Sequence, residues 1–334
     1  MKIILICNNF GKNYDGIGAY AQKVYNALNK IASVNVITAF CKPTEKIKRI
    51  FGLGMTIAVF KAFKNMLVNQ YDKVIIEYPF VEWNPLFCIS LIFLKLSSIC
   101  SKTRIFVTIH EFKRSNILRK AVIVYLALLA DALLVTEKEN LVLLQKINDN
   151  SLKINIPSNV DIVVDTTIER EKSFVYFGIV NKAKAFDEMI KAWDEFNSDC
   201  KYKLYCITSS NLENMESHKN IKYIHNAADN VISEIMGRCL FSILPIRPFV
   251  DEKNTTFKTS CSAGCVTIGS FCDEYKNLSF IINIDNYQKE KFLYAFKECI
   301  NMEEKILKEK SLKAIEFGKI YSMQNNVNQY LRDR

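Results

Sequence analysis

Histidine is scarce in this chain, with three residues among 334, and no pair of cysteines has the CxxC spacing. The side chains of a structural zinc site are therefore not assembled in the sequence. Eleven cysteines are present, but they are scattered and odd in number, and the nearest two are Cys261 and Cys265. This pattern argues against a disulfide framework and predicts free, mostly buried thiols in a reducing cytosol.

Long apolar runs are also lacking. The first run, Ile3–Cys7, is too short for the core of a signal peptide. Two later runs, Leu86–Leu94 and Ala121–Ala130, each end at a charged residue, short of the ~18–20 residues that a membrane-spanning helix needs. We expect neither a signal peptide nor a membrane span.

Charge is unevenly distributed along the chain, whose formal net charge is +10. Residues 1–160 contain 21 Lys and Arg against 10 Asp and Glu, whereas the remaining residues contain 24 against 25. The excess positive charge of the first half predicts an anionic partner, either a membrane surface or a nucleic acid. No zinc-finger or RRM signature is present, so a membrane surface is favoured and nucleic acid is not expected.

Short aliphatic runs alternate with helical patterns in both halves of the chain, which predicts parallel, doubly wound sheets. At 334 residues and 49% hydrophobic composition, two Rossmann-like domains are expected, divided in the polar stretch near 157–172. The first half has predicted strands at Ile3–Cys7, Val34–Ala39, Lys73–Glu77, Arg104–Ile109 and Ala132–Thr136. The second half has them at Ser173–Phe177, Tyr202–Thr208, Phe241–Leu244, Val266–Ser270 and Phe280–Ile284.

Two loops of the first half follow predicted strands, where ligands of parallel sheets bind. The first contains Gly16 and Gly18, and such glycines either admit a phosphate or sugar to a helix N-terminus or only make a tight turn. A third glycine and a later acidic residue are missing, so a nicotinamide cofactor is weakly supported. The second loop begins with His110, which we predict to be the histidine at a strand end, since His218 and His225 lie in weakly patterned segments.

Two loops of the second half have the residue types of an anion site. Gly178 ends a predicted strand, and Lys184 stands just before the helix that follows it. After the strand ending at Leu244, a polar loop leads into a helix start that combines a lysine with capping side chains. Those residues are Lys253, Asn254, Thr255 and Thr256. A solvated loop and a capped helix are the alternatives.

In their order and spacing these segments resemble the retaining, nucleotide-sugar-dependent glycosyltransferases of family 4, which have the GT-B fold. The resemblance covers nearly the whole chain, although each motif alone is weak. It rests on Gly16 and Gly18, His110-Glu111, Ile156–Val160, Gly178 with Lys184 and Phe186-Asp187, and Leu244-Pro245 with Thr255-Thr256 and Gly264. The segment Tyr321–Gln324 is similar to the start of the family's last helix, which returns to the first domain.

The resemblance implies two Rossmann-like domains facing across a cleft: 1–160 for the acceptor, 161–317 for the nucleotide sugar, and a returning helix at 318–334. It implies that His110 and Asp251 contact the donor sugar. The donor and its diphosphate would be bound by Gly16, Gly178, Lys184, Lys253, Asn254, Thr255 and Thr256. The sequence departs from the family pattern where an arginine is usual, at Asn181, and where two glutamates are usual, at Asp251 and Thr259.

The implied reaction transfers a sugar from a nucleotide-diphosphate donor to a lipid-linked glycan in bacterial capsule, O-antigen or exopolysaccharide synthesis. No Asp-x-Asp triplet occurs, so we expect a metal-independent enzyme without a cofactor. Retention of the anomeric configuration is implied by the family resemblance alone. A nucleotide-sugar epimerase of the same fold, or an inactive subunit that binds sugar or lipid, are the alternatives.

Basic residues flank apolar ones between residues 42 and 69, a pattern typical of helices that lie in a membrane interface. A helix covering its sheet is the alternative reading. The residues predicted to contact acceptor or membrane are Lys46, Lys48, Arg49, Lys61 and Lys64. With the charge of the first half, they predict a cytoplasmic protein bound peripherally to the inner face of the cytoplasmic membrane.

Overall fold

The computed structural model describes most of the chain, in ranges separated by short gaps. The described residues are 1–11, 16–39, 53–80, 85–158, 160–162, 170–212, 218 and 220–332. They divide into two compact units, an N-terminal unit of Met1–Asn155 with Met323–Arg334 and a C-terminal unit of Ile156–Ser322. The predicted boundary at 160 falls five residues beyond the observed one.

A parallel sheet with strand order β2-β1-β3-β4-β5-β6 forms the centre of the N-terminal unit. Its inner strands are mostly apolar because helices cover both faces of the sheet. The strands are β1 (Lys2–Cys7), β2 (Ser33–Thr38), β3 (Lys73–Tyr78), β4 (Arg104–Ile109), β5 (Ala132–Val135) and β6 (Ser151–Lys153). The helices between them are α1 (Gly16–Leu28), α2 (Gly54–Val68), α3 (Leu86–Ser101), α4 (Ile117–Leu129) and α5 (Lys138–Gln145).

The C-terminal unit repeats this architecture with a parallel sheet of order β12-β11-β10-β7-β8-β9. Its strands are β7 (Glu171–Phe177), β8 (Leu204–Thr208), β9 (Ile221–His225), β10 (Cys239–Leu244), β11 (Val266–Gly269) and β12 (Ile281–Asn283). Its helices are α6 (Phe186–Phe196), α7 (Asp229–Arg238), α8 (Thr255–Ser262), α9 (Lys289–Asn301) and α10 (Glu304–Ile320). The predicted α/β class with two Rossmann-like units is confirmed.

The last helix, α11 (Met323–Leu331), belongs to the N-terminal unit although it follows the C-terminal one in sequence. Val327 and Tyr330 on this helix are fully buried among residues of β1 and α1. The Lys73 ammonium donates to the backbone oxygens of Tyr330 and Arg332 at 3.2 Å each. The Tyr330 carbonyl is among those that a helix C-terminus leaves without a partner inside the helix. Apolar packing and a buried cation thus hold the chain terminus against the sheet.

Each sheet reverses its strand order at one point. In the N-terminal unit the reversal lies between β1 and β3, and in the C-terminal unit between β7 and β10. Ligands of open parallel sheets bind beyond the carboxyl ends of the strands at such a point. The loops that follow β1, β3, β7 and β10 are therefore where the fold places a ligand.

Candidate donor and sugar sites

Backbone hydrogen bonds join the loops after β7 and β10 at the reversal of the C-terminal sheet. The amide of Ala185 donates to the Pro245 carbonyl at 2.8 Å, and the amide of Arg247 donates to the Ala183 carbonyl at 2.8 Å. Lys184, which lies between these bonds, forms an isolated antiparallel bridge with Ile246. The backbone of Lys184 is thereby fixed, so its side chain starts from a defined position.

The Lys184 ammonium and the Thr256 hydroxyl both lie close to Gly178. A methyl group built on Gly178 would lie 3.7 Å from Lys184 Nζ and 3.8 Å from Thr256 Oγ1. Gly178 also has φ +141°, a conformation that other residues rarely adopt. Three of the residues predicted to bind the donor are thus neighbours in the structure.

Lys184 is largely withdrawn from water, and this burial lowers the pKa of its ammonium. Within the described part of the chain, no carboxylate or hydrogen-bond acceptor pairs with that ammonium. A partly buried cation gains stability from an anion that replaces its lost hydration. The position of Lys184 is therefore suited to binding an anionic group.

Helix α8 begins beside this lysine, and its first turn offers backbone N–H groups. The Asn254 side chain caps the helix, accepting from the Phe257 amide at 2.7 Å through Oδ1. That oxygen is thus committed to the cap, and we assign Asn254 chiefly a structural role. Thr255 and Thr256 are the first two residues of the helix, where the dipole and free amides favour an anion.

The loop ahead of α8 is shaped by Asp251 and Lys258. Asp251 Oδ1 accepts from the Lys253 amide at 3.0 Å, which turns the chain toward the cap. Lys258 is 1% exposed, donates to the Glu252 carbonyl at 2.6 Å, and lies 4.7 Å from the Tyr321 ring centre. Sequence reasoning missed Lys258 because a lysine within an amphipathic helix pattern is ordinarily solvated.

A buried glutamate positions His110 in the N-terminal unit. Glu77 on β3 has an exposure of 0%, and its Oε2 lies 3.0 Å from His110 Nε2. Its other oxygen accepts from Thr108 Oγ1 at 3.1 Å and from the Tyr330 hydroxyl at 3.0 Å. Because a carboxylate only accepts, His110 Nε2 carries the proton and Nδ1 is left for another partner. Glu77 was not among the predicted site residues, since one carboxylate within an apolar strand has no motif.

Two tyrosines complete this network. The hydroxyl of Tyr330 lies 3.0 Å from that of Tyr20, and the Tyr20 ring meets the His110 ring edge-on at 4.9 Å between centres. Burial first, and then the Glu77 charge, raise the pKa of both tyrosines, so their hydroxyls stay protonated. The orientation of His110 thus depends on groups from α1, β3 and α11.

The loop after β1 contains an unpartnered polar group. Asn8 is 2% exposed, and neither its amide oxygen nor its nitrogen has a hydrogen-bond partner among the described residues. Such a group costs free energy unless something else pairs with it.

The two glycines predicted in this loop lie in the first turn of α1. Gly16 is the first residue of α1, while a methyl on Gly18 would lie 1.9 Å from the Asn9 carbonyl oxygen. Gly18 is therefore required for helix packing.

The remaining predicted residues fall in different places. Lys46, Lys48 and Arg49 lie outside the described residues. Lys61 and Lys64 are exposed on α2. The apolar face of that helix packs on the sheet through Met55, Ala58, Val59, Ala62 and Met66.

One expectation about histidine was wrong. His225 also ends a strand, β9, so His110 is not alone in that placement. Its ring contacts the Tyr223 hydroxyl at 3.0 Å and the Asn226 side chain at 2.7 Å. Strand β9 is only half-buried, so its polar sequence concealed it.

No helix among the described residues combines the length and apolar character needed to cross a membrane. In the same ranges, histidine, cysteine and carboxylate side chains form no group of three that could hold a metal ion. The described cysteines are all free, and six of them are buried.

No family model and no curated protein matches the sequence. Solved structures with a similar fold were found instead. An α-glucosyltransferase in complex with UDP-glucose and DNA containing an abasic site is 15% identical, with a TM-score of 0.65 over 99% of this chain and 98% of that one. WaaG, a glycosyltransferase involved in lipopolysaccharide biosynthesis, is 9% identical, with a TM-score of 0.59 over 98% of both chains.

A third similar structure is a UDP-N-acetylglucosamine 2-epimerase, so designated without proof of activity, from Listeria monocytogenes. It is 11% identical, with a TM-score of 0.55 over 99% of this chain and 94% of that one. These likenesses extend over the whole chain but are too distant in sequence to transfer an activity. They show that this protein has the GT-B fold.

Proposed function

We propose that this protein is a glycosyltransferase that moves a sugar from a nucleoside-diphosphate sugar to a glycan acceptor. The proposal rests on the environment of the Lys184 side chain. Its ammonium is partly buried and unpaired among the described residues, and it lies beside Gly178, Thr256 and the first turn of α8 at the sheet reversal. A diphosphate supplies the anion that this arrangement lacks.

The departing nucleoside diphosphate accumulates negative charge as the bond to the sugar breaks. Lys184 and the N–H groups of Thr255 and Thr256 would stabilise that charge without reorganisation, because the loop bridge and the Asn254 cap already fix them. The metal-independent mechanism that we propose relies on these groups. Lys253, two residues after Asp251, would add positive charge near the same helix start.

In the N-terminal unit we assign His110 to a hydroxyl of the donor sugar. Nε2 faces Glu77, so Nδ1 would be left to form a hydrogen bond with such a hydroxyl. Asp251 would hold another hydroxyl with the carboxylate oxygen that the Lys253 amide does not use. Gly16, at the start of α1, would leave space for the diphosphate or the acceptor.

The finer parts of the proposal come from the family resemblance and from charge. They are retention of configuration, a lipid-linked acceptor in bacterial surface polysaccharide synthesis, and a cytoplasmic location at the inner membrane face. WaaG, one of the similar structures, acts in lipopolysaccharide biosynthesis, which is consistent with such an acceptor. The excess of 21 basic over 10 acidic residues in 1–160 supports an anionic surface as partner.

Incubation of the purified protein with a panel of UDP-, GDP- and dTDP-sugars tests the proposal. We expect slow donor hydrolysis with one donor, and transfer when a suitable glycan is added. An isomerised sugar would instead support an epimerase, the activity named for one of the similar structures. Binding without turnover of any donor would support a non-catalytic subunit.

A further inference from the structure

Helix α3 presents a wide apolar surface that no described residue covers. Its exposed apolar residues are between 42% and 64% accessible. They are Leu86, Ile89, Ile92, Phe93, Leu96 and Ile99, which we call the α3 face. At 100° per residue, the six lie in one arc about 140° wide.

The opposite side of the same helix is already used by the fold. Phe87, Leu91 and Leu94 are buried in the core between α3 and the sheet. A helix that is apolar on all sides normally has partners on all sides. The α3 face therefore needs a partner that the rest of the described chain does not supply.

Neighbouring side chains extend this surface. The Phe93 ring lies 5.8 Å from that of Phe60 on α2, which is 36% exposed, and 5.9 Å from that of Phe63. On the other side, the Tyr125 hydroxyl of α4 donates to the Cys88 carbonyl of α3 at 2.9 Å. Helices α2 and α4 thus flank α3, and α2 adds an aromatic ring to its face.

Acidic residues are missing from all three helices. Helices α2, α3 and α4 contain 15, 16 and 13 residues without a single Asp or Glu. They contain Lys61, Lys64, Lys95, Arg119 and Lys120. Only Lys95 has a carboxylate partner among the described residues, in Asp131 at 2.7 Å. The apolar face is thus accompanied by basic side chains.

We propose that the α3 face docks on an anionic lipid bilayer, lying parallel to it with the apolar arc in the interface. Exposed apolar side chains on helices whose charged residues are all basic match acyl chains and lipid phosphates together. A second copy of the chain would bring the same basic residues against each other, which disfavours self-association. At about 1.5 Å per residue, α3 is about 24 Å long, so it lies on the bilayer without crossing it.

This inference rests on the proposed function, since a lipid-linked acceptor places the enzyme at a membrane. It assigns the apolar contact with the membrane to α3 in place of α2, whose apolar side packs on its own sheet. Lys61 and Lys64 remain as cations that meet lipid phosphates. The bound enzyme would then receive its acceptor from the surface on which it lies.

Co-sedimentation with vesicles tests the proposal. The full-length protein is mixed with phosphatidylcholine vesicles that contain or lack phosphatidylglycerol, over a salt series. We expect binding to the anionic vesicles that weakens as salt rises, and at least tenfold weaker binding by the double variant Ile92→Glu, Leu96→Glu. The matched control Ile306→Glu, Leu312→Glu changes two exposed apolar residues of the C-terminal unit and should bind as the wild type does.

Four results would overturn the proposal. The first two are absence of binding to either vesicle and equal binding by the α3 double variant. The third is a lipid-free dimer, abolished by that variant, in a protein that does not bind vesicles, which would assign the face to a second copy. The fourth is a stoichiometric complex with a partner's membrane helix in place of lipid binding, which would assign the face to a protein partner. Donor hydrolysis, measured without vesicles, should be equal in the wild type and the double variant. Its absence from both, with vesicle binding intact, would count against the proposed function and not against the docking surface.

Discussion

Replacing Lys184 with methionine should abolish most activity while leaving the fold intact or more stable. Methionine keeps the apolar stem of the side chain and removes the ammonium that we assign to the diphosphate. Loss of one charge-stabilising contact in a transition state costs about 2.7–4 kcal/mol, so kcat/KM should fall roughly 10²- to 10³-fold. The fall should appear in kcat, because the leaving group gains its charge as the bond breaks.

The sign of the stability change follows from the lowered pKa of Lys184. Burial disfavours its charged form, so at neutral pH the ammonium, which has no partner among the described residues, destabilises the folded state. This penalty fades as pH rises toward the ordinary lysine value. Methionine removes the penalty and should stabilise the protein by about 0.5–2 kcal/mol, the range common for single stabilising substitutions. Thermal unfolding of the ligand-free protein at pH 7 and at pH 9.5 measures this, and the gain should shrink at the higher pH.

The control is Lys182→Met, two residues earlier in the same loop, where the lysine is exposed. It should change kcat/KM less than threefold. Near-normal activity in Lys184→Met, or an equal loss in Lys182→Met, would refute a diphosphate site at Lys184. A lower melting temperature in Lys184→Met would show that the ammonium has a stabilising partner.

Three further changes test the N-terminal network and the metal requirement. Glu77→Gln should lower kcat/KM about 10- to 100-fold, because a misoriented His110 loses its contact with substrate; activity equal to the wild type would remove His110 orientation from the mechanism. Tyr330→Phe should destabilise the protein by about 1–3 kcal/mol in urea unfolding, since Glu77 loses a buried donor, whereas Tyr294→Phe at an exposed site should have no effect. EDTA should leave transfer unchanged; loss of transfer that Mg²⁺ or Mn²⁺ restores would contradict the metal-independent proposal.

Much of the fold could be predicted from the sequence because its determinants are local. Ile3–Cys7 is apolar throughout, and four of the six residues of Arg104–Ile109 are apolar, which is characteristic of strands covered on both faces. Their alternation with helices left only a parallel sheet. The weak elements escaped for the same reason. Strand β9 is half-buried and β6 has three residues, so neither has an apolar run to mark it.

The loops after strands could also be located in advance, since each begins where an apolar run ends. Lys184 and Thr255-Thr256 follow from that rule, and the structure places Lys184 and Thr256 both close to Gly178. Their role in donor binding stays a prediction. The neighbourhood itself could not be read from the sequence, because β7 and β10 are adjacent only through the strand order of the sheet.

The sequence by itself determined the α/β class, the approximate division into two units and the basic character of the first half. Tertiary structure decided which side chains meet. His110 follows Glu77 by 33 positions along the chain, and Tyr330 follows it by 253. Only the return of α11 to the first sheet brings Tyr330 to the other two residues. It also decided that the apolar side of α2 is buried whereas an arc of α3 is exposed. Both helices have apolar sequences, and burial depends on what packs against each face, which hydropathy along the chain does not specify.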